Sequence, residues 1–502
     1  MDYKRPGGDI TTLLDLTDRD AQDNDYFPLK GETTWFERNP DRRNIPFVPI
    51  VQDFPFRGPA SYGQRFTFDI GALPCGDVML GTTIQIKLNH WFDLTTQLNI
   101  STGAYTYDNP YYGSNSVTSI PSPFFFANSI GSILIEKAEL EINGVTIETL
   151  DADFIYTFGR LNTDINQQFG LANDSLGLVN VKDLLSWDPK RNYSIEDGNV
   201  FCILPFFFMR TRFRENLPMV ALKEDSAKIH VTFKTFDKVI RQLQGFRDLS
   251  GGLAPNGNTI FPAPSPLGLT FSFNNGSILK TVSQTPLDFQ EVKLITYGAY
   301  VDGLERNKML REPFEHMIRE VQTFYFDEPL KYSVSKTAND TVTIQLPLEA
   351  NHPLEEIIWF VRRKETRNNN EHVNFSSVLE REYDPIFNNF SPLLKRAILQ
   401  VNGITLCDAN EKYYRQLISN HHKGGVISYN SFIYGYPFAK HPSEEHQPSG
   451  SLNASRVQSL RLTLEVQVPT SQYDNSWEVK VFCIGLNWLR FENGIANKLF
   501  TD

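Results

Sequence analysis

Residues Lys137 to Ile147 read KAELEINGVTI, and residues Lys395 to Leu406 read KRAILQVNGITL. Further along, EVKLITYGAY runs from Glu291 to Tyr300 and EVKVFCIGLN from Glu478 to Asn487. Two stretches written twice in the same order mark a duplicated domain, so the chain reads as two copies of one fold. Each Asn-Gly, at Asn143-Gly144 and Asn402-Gly403, lies between β-prone runs. That dipeptide suits the positive φ angles of a type I′ turn, so both copies should bend there through a tight hairpin. A third matching element follows each hairpin: Asp151 to Leu161 and Asp408 to Ile418 both read as helices. The second has Asp408 as N-cap and Glu411 three residues on, in the manner of a capping box.

Short alternating runs recur elsewhere, including Arg65 to Ile70, Thr83 to Leu88, Lys228 to Phe233, Thr341 to Leu346 and Leu460 to Val468. Period-two alternation over five to nine residues predicts half-buried strands. Helices are scarce, with Leu304 to Arg311 a further short one. The fold class is therefore all-β. The copies differ in length: about 148 residues separate Asn143 from Glu291, against about 76 from Asn402 to Glu478. The first copy thus carries about 72 more, and Gly245 to Pro286, rich in Gly, Pro, Asn and Ser, reads as a long surface loop. Thr96 to Phe124 reads as a second. Residues 1 to 40 are polar and Asp-rich, and read as an arm that takes its order from neighbours.

The 502 residues exceed what a single hydrophobic core usually serves, in agreement with two domains. A formal net charge of −11 argues against a protein that coats nucleic acid, which calls for a dominant basic field. Aromatic residues reach 13%, as suits sheets and packed interfaces. The four cysteines, Cys75, Cys202, Cys407 and Cys483, form no C-x-x-C pair and read as reduced core thiols in a cytosolic setting. The start, MDYKRPGGDITTLL, has no apolar signal core, and no apolar run is long enough to span a bilayer. Sequons at Asn173, Asn192, Asn374, Asn389 and Asn453 are what an Asn-rich chain supplies by chance.

Several local motifs carry a resemblance. Gly7-Gly8, Gln22-Asp23, Tyr26 and Thr34 to Arg38 are similar to a G-G…Q-D…Y…T-x-F opening. Leu204-Pro205-Phe206-Phe207-Phe208, followed by Leu217-Pro218-Met219-Val220-Ala221-Leu222, is similar to LPFFF…LPLVAL. Tyr300-Val301-Asp302 with Glu305-Arg306 matches a Y-x-x-L-D-x-x-E-R link. His352-Pro353-Leu354-Glu355-Glu356-Ile357-Ile358-Trp359 resembles H-P-V-K-E-L-I-W, and Pro448 to Arg456 resembles P-S-G-x-x-N-x-S-R. In this order they resemble the major capsid proteins of nucleocytoplasmic large DNA viruses, the double jelly-roll capsid family.

The resemblance implies two tandem eight-stranded antiparallel jelly rolls with long inserted loops. An arm over 1–40 would precede a first roll over 41–303 and a second over 304–502. It implies a structural protein, not an enzyme, whose homotrimers form pseudo-hexagonal capsomers of an icosahedral shell. Partners would be neighbouring capsomers, minor capsid proteins and an internal viral membrane as a neighbour, with no sequence-specific nucleic-acid binding. The chain would reside in the virion, after assembly in the host cytoplasm. A scaffold or minor capsid protein of the same fold, or a carbohydrate-binding β-sandwich, are the alternative readings.

No residue is assigned a catalytic, cofactor-binding or metal-binding role. His421-His422, His441 and His446 lack the cysteines and spaced carboxylates of a metal site and read as loop or interface histidines. Glu355-Glu356 and Glu444-Glu445 are adjacent, so on a strand each pair would point to opposite faces and form no glycosidase dyad. Arg210, Arg212 and Arg214, and Arg362, Arg363, Lys364 and Arg367, read as salt-bridging residues at subunit contacts rather than lipid or nucleic-acid ligands. Trp359 should fill the second roll's core, on a strand apolar on both faces and buried between rolls.

Overall fold

The structure, a computed structural model, describes residues 47–71, 75–88, 124–163, 199–210, 216–222, 227–244, 259–262, 269–275, 278–284, 288–328, 341–379, 390–422, 431–442, 449–467 and 477–500. The expected arm at 1–40 and nearly all of the loop at 96–124 lie outside them. So do Arg212, Arg214, Glu444, Glu445, His446, Asn173, Asn192 and Asn389.

The first copy contributes β1 (Phe47–Pro55), β2 (Arg65–Asp69), β3 (Val78–Lys87), β4 (Ile135–Ile142), β5 (Val145–Asp151), β6 (Asn199–Ile203), β7 (Ala227–Phe233) and β8 (Glu291–Val301). They pair antiparallel as two four-stranded sheets, β1-β8-β3-β6 and β2-β7-β4-β5. The second copy contributes β9 (Phe314–Glu328), β10 (Thr341–Leu348), β11 (Pro353–Arg363), β12 (Leu394–Val401), β13 (Ile404–Asn410), β14 (Tyr434–Pro437), β15 (Leu460–Gln467) and β16 (Trp477–Glu492). Their order is β9-β16-β11-β14 and β10-β15-β12-β13. Position by position this is the first copy's order, so the repeat seen in the sequence is a repeat of topology. The strands Leu452–Asn453 and Ile495–Lys498 extend the former sheet. This arrangement is an all-β double jelly roll.

Both Asn-Gly hairpins form as their residue types require. Asn143 and Gly144 have φ of 52° and 80°, and Asn402 and Gly403 have 50° and 81°. A third, Asn493-Gly494, joins β16 to Ile495–Lys498 with 55° and 80°. A Cβ on Gly403 would touch nothing within 4 Å. Gly403→Ala should therefore cost only the left-handed backbone penalty of about 1–2 kcal/mol, seen as a lower denaturant midpoint with an unchanged m-value. Gly298 is needed for a different reason. It lies at a bulge in β8, where an added Cβ would sit 2.0 Å from the Cys75 carbonyl oxygen.

The helices α1 (Ala152–Asn162), α2 (Gly303–Arg311) and α3 (Glu411–His421) occur where the sequence places them. The caps of α1 and α2 are Asp151, accepting from the Phe154 N–H at 2.7 Å, and Asp302, accepting from Leu304. The cap of α3 differs from expectation. Asp408 stays in β13, held by two 2.6 Å bonds from Arg396, and the side chain of Asn410 accepts from the Tyr413 N–H instead. The ion pair with the neighbouring strand outcompetes capping and delays the helix by two residues. The stretch from Gly245 to Pro286 is also not simply a loop: Thr259–Pro262 pairs with Ile240–Gln244, and Leu269–Asn275 forms a hairpin with Ile278–Gln284. Leu269–Asn275 reads LTFSFNN and alternates as a strand does, a signal outweighed in the sequence by the surrounding Gly, Pro and Asn residues.

All four cysteines are free, and Cys75, Cys202 and Cys483 are buried. Burial pushes the Cys75 thiol to about 11 and that of Cys202 to about 12, so both are inert thiols rather than nucleophiles. Asn374 is fully buried and bonded to Glu371 and Val378, which removes it as a glycan acceptor in the folded chain, whereas Asn453 is exposed.

Candidate functional site: the seam between the two rolls

The strand β11, and β16 from Trp477 to Asn487, are buried on both faces. In β11, Leu354, Ile357, Trp359 and Val361 enter the second roll's own core, while Ile358 and Phe360 join the core of the first. In β16, Trp477, Val479, Val481 and Cys483 face inward, while Phe482 and Ile484 join the first roll's core. A strand's period of two thus sends alternate residues into two different interiors. Residues Val48–Asp502 form one compact unit as a result.

From the first roll, α1 covers the outward face of this sheet. The Phe154 ring meets Phe482 edge-on at 5.3 Å, and Tyr156 meets Phe375 at 6.1 Å. The Tyr156 hydroxyl lies 2.9 Å from Ser431 Oγ, which donates to the Val373 carbonyl. Among these apolar contacts lies a buried ionic cluster. Arg362 makes a bidentate pair with Asp153 of α1, at 2.9 and 3.2 Å, bonds Glu478 through Nε, and donates to the His372 carbonyl at 2.7 Å. Lys480 bridges Asp151 at 2.8 Å and Asp153. Glu478 also accepts from the Tyr325 hydroxyl at 3.0 Å and from Arg367 at 3.2 Å.

Burial disfavours all these charges, and the pairing overrides it. Burial alone would raise Asp153, yet Arg362 and Lys480 hold its carboxyl well below the usual carboxylate range. Burial would lower Arg362 and Lys480, yet Asp153, with Glu478 and Asp151 respectively, raises both. Lys234 stands nearby and is pulled down to about 8 by burial, with Asp153 opposing.

A second group lies along the same seam. Arg210 pairs with Glu148 and crosses to the carbonyl of Arg319, and Arg319 in turn binds Glu355 at 2.6 Å. Glu148 and Glu355 are both raised, chiefly by burial against the opposing arginines. Glu356 instead faces His422 Nε2 at 2.9 Å, and His422 Nδ1 reaches Asn162 Oδ1 at 3.3 Å.

The structure therefore moves several sequence-selected residues. Arg210, Arg362 and Arg363 are buried inside the chain, not displayed at subunit contacts. Arg210 and Arg362 join roll to roll, and Arg363 binds Glu365 and the Ser377 carbonyl within the second roll. Lys364 pairs with Asp327, and Arg367 remains mostly exposed above Glu478. Glu355 and Glu356 have separate partners, the Arg319 guanidinium and the His422 imidazole. His422 is a seam histidine, His421 is half-buried beside it, and the backbone N–H of His441 donates to Ser449. Sequence reasoning missed Asp153, Glu478, Lys480, Glu148, Arg319 and His372. A signal was present: Glu478 and Lys480 share one face of a strand whose other neighbours are apolar, and charges in a doubly buried strand must be paired.

His372 gives the seam a testable pH response. Burial, reinforced by Lys234 and Arg362 and opposed by Asp153, lowers its pKa well below the usual value; its Nε2 lies 2.8 Å from the Lys238 carbonyl. The unfolded histidine takes up a proton below about pH 6.5 while the native one resists, so its contribution is complete above that pH and lost below it. His422 has the opposite sign, since Glu356 raises it despite burial. Between pH 7.5 and 5.5, wild type should lose on the order of 1 kcal/mol more than His372→Gln. Parallel denaturant curves for the two proteins would refute this.

Two duplicated jelly rolls fused through a doubly buried sheet define a double jelly-roll building block. Residues 61–250 match the family model for the major capsid protein N-terminus, and residues 305–497 match that for the large eukaryotic DNA virus major capsid protein. The chain is 21% identical to the major capsid protein of Phaeocystis pouchetii virus over 92% of this chain and 94% of that protein. It is 25% identical to that of Pyramimonas orientalis virus, over 40% and 47%. Among solved structures, PBCV-1 VP54 matches with a TM-score of 0.63 at 16% identity, covering 93% of this chain and all of that one. The Faustovirus major capsid protein matches at 0.62 and 13%, covering 96% of each. At such identities the structures speak for the fold, and the sequence matches for descent. The chain belongs to the large eukaryotic DNA virus major capsid protein family.

Proposed function

We propose that this protein self-assembles as homotrimers into pseudo-hexagonal capsomers of the icosahedral outer shell of a large double-stranded DNA virus. The observation that carries this reading is the seam. It fixes two copies of one fold rigidly side by side, so one chain behaves as two adjacent members of a six-membered ring. In this reading residues 1–40 form an arm, 41–303 the first roll and 304–502 the second. Neighbouring capsomers and minor capsid proteins meet the edges, and an internal membrane lies beneath. Assembly takes place in the host cytoplasm. The −11 charge suits a shell that encloses a genome without gripping it.

Light scattering after size exclusion tests the trimer. A mass near three times 57.4 kDa is expected, and a stable folded monomer would overturn the proposal. The same protein in purified mature virions at high copy number would separate a major capsid protein from a scaffold or minor component.

A further inference from the structure

Away from the seam, β16 runs between two strands. β9 pairs with it on one side, with Ile318 opposite Asn487, and Ile495–Lys498 pairs on the other, with Lys498 opposite Leu489. Paired residues share a face, as do alternate residues of one strand, so Glu320, Asn487 and Lys498 stand together on one side of the sheet. Glu320 holds both of the others. One carboxylate oxygen accepts from Lys498 Nζ, and the second accepts from Asn487 Nδ2 at 2.7 Å. Asn487 is wholly buried, and the Lys498 and Glu320 side chains are only 19% and 12% exposed. The Asn487 amide is oriented at each end: Oδ1 accepts from the Trp488 backbone N–H at 2.7 Å, and Nδ2 donates also to the Phe500 carbonyl at 3.0 Å.

We propose that Lys498 and Asn487 join in an intramolecular isopeptide bond, with Glu320 as the proton-transfer group. An amine, a carboxamide and a carboxylate that bonds both are the groups such a reaction needs. Lys498 gives a proton to Glu320, and its freed amine attacks Cγ of Asn487, which requires only rotation within the flexible lysine stem. The oxygen of the resulting tetrahedral carbon stays on the Trp488 N–H, which stabilises its charge. Glu320 passes its proton to Nδ2, the Cγ–Nδ2 bond breaks and ammonia departs. Glu320 then takes the second proton that Nζ sheds, and ammonia carries it off as ammonium. The products are a secondary amide and ammonium, with no oxidant, reductant or cofactor consumed. Burial of Asn487 keeps water from competing for Cγ. Among the described residues Ile495–Lys498 pairs with β16 alone, so the bond would fasten an edge strand that hydrogen bonds hold on one side only. The link forms within one chain and is independent of how chains assemble.

Mass spectrometry of a tryptic digest of the full chain, folded and then denatured, tests the bond. In an unlinked chain trypsin cuts after Lys480, Arg490 and Lys498 and releases residues 481–490 and 491–498 as separate peptides. In a linked chain Lys498 is acylated and uncut. Residues 481–490 should then appear joined to 491–502, lighter by one ammonia than the two peptides summed. Lys498→Arg keeps the ion pair but has no amine to acylate, and should give separate peptides only. Glu320→Gln, which still forms hydrogen bonds but cannot take the proton, should do the same. Separate peptides with no joined species from the folded wild-type chain would overturn the proposal, whether or not the variants fold. A joined species in Glu320→Gln would overturn the role given to Glu320.

Discussion

Arg362→Met should destabilise the chain by about 3–5 kcal/mol, far more than its lost contacts would suggest. The side chain is similar in length and apolar, so little volume is lost. What remains is Asp153 and Glu478, both buried, deprived of the guanidinium that each bonds directly. Lys480 still reaches Asp153 but not Glu478, and Arg367 reaches Glu478 only from the solvent side. Chemical unfolding at fixed protein concentration would show the loss as a lower midpoint. Adding Asp153→Asn and Glu478→Gln to Arg362→Met should recover part of it, because the uncompensated charges are then gone. The pH dependence has a definite sign. Since Asp153 is depressed in the native state, its pairing contributes fully above about pH 4 and is lost as pH falls below that toward its folded value. In Arg362→Met this acid-side loss should be much reduced. A change under about 1 kcal/mol would show that the cluster decorates the seam rather than closing it.

Such a cluster need not be the most stable way to join two rolls, since buried ion pairs often gain little over well-packed apolar residues. It does constrain register. Phe154, Phe482, Phe360 and Phe375 could slide past one another at modest cost, but a one-residue slip of β16 would put Glu478 and Lys480 into the apolar core of the second roll. The ionic cluster thus adds specificity to an interface whose area is supplied by aromatic rings. For a lattice-building protein, a fixed angle between rolls matters more than the last kilocalorie of stability.

Much of this was legible beforehand because the repeat is written locally. KAELEINGVTI and KRAILQVNGITL each contain strand, turn and strand, and both turn residues adopt positive φ as the dipeptide requires. Apolar character on both faces of Ile357 to Val361 marked a strand between two interiors, and β11 is that strand. Long-range partners were not legible. Nothing near Arg362 in sequence announces Asp153, 209 residues away. Arg210 and Arg362 looked like surface cations because a basic residue in isolation usually is one. The α3 cap failed for a related reason: Asp408 satisfies the local capping rule, but its cross-strand partner Arg396 is invisible to a rule that looks three residues ahead. Strands between Gly245 and Pro286 were passed over because the Gly, Pro and Asn content of the stretch outweighed the alternation in Leu269 to Phe273.

Trp359→Ala should cost about 3–5 kcal/mol, by a mechanism unlike that of Arg362→Met. The indole is fully buried in the second roll, edge-on to Tyr414 at 5.2 Å and tilted against Tyr434 at 6.1 Å. Tyr414 is anchored by its hydroxyl to the Ala397 carbonyl at 2.9 Å, which limits its freedom to move into the space left behind. Main-chain pairing with Val481 and Tyr434 holds β11 in place on both sides, so the sheet cannot collapse inward either. A cavity should therefore persist and carry the upper part of the expected cost. Trp359→Phe keeps a ring against Tyr414 and should lose less than half as much. The discriminating comparison is with pH: the Trp359 variants should be shifted equally from pH 4 to 8, because no titrating group is uncovered, whereas Arg362→Met should show its reduced loss on the acid side. Near-wild-type stability for Trp359→Ala would mean that the second roll repacks freely. A roll that soft could not hold the seam face of β11 in register against α1.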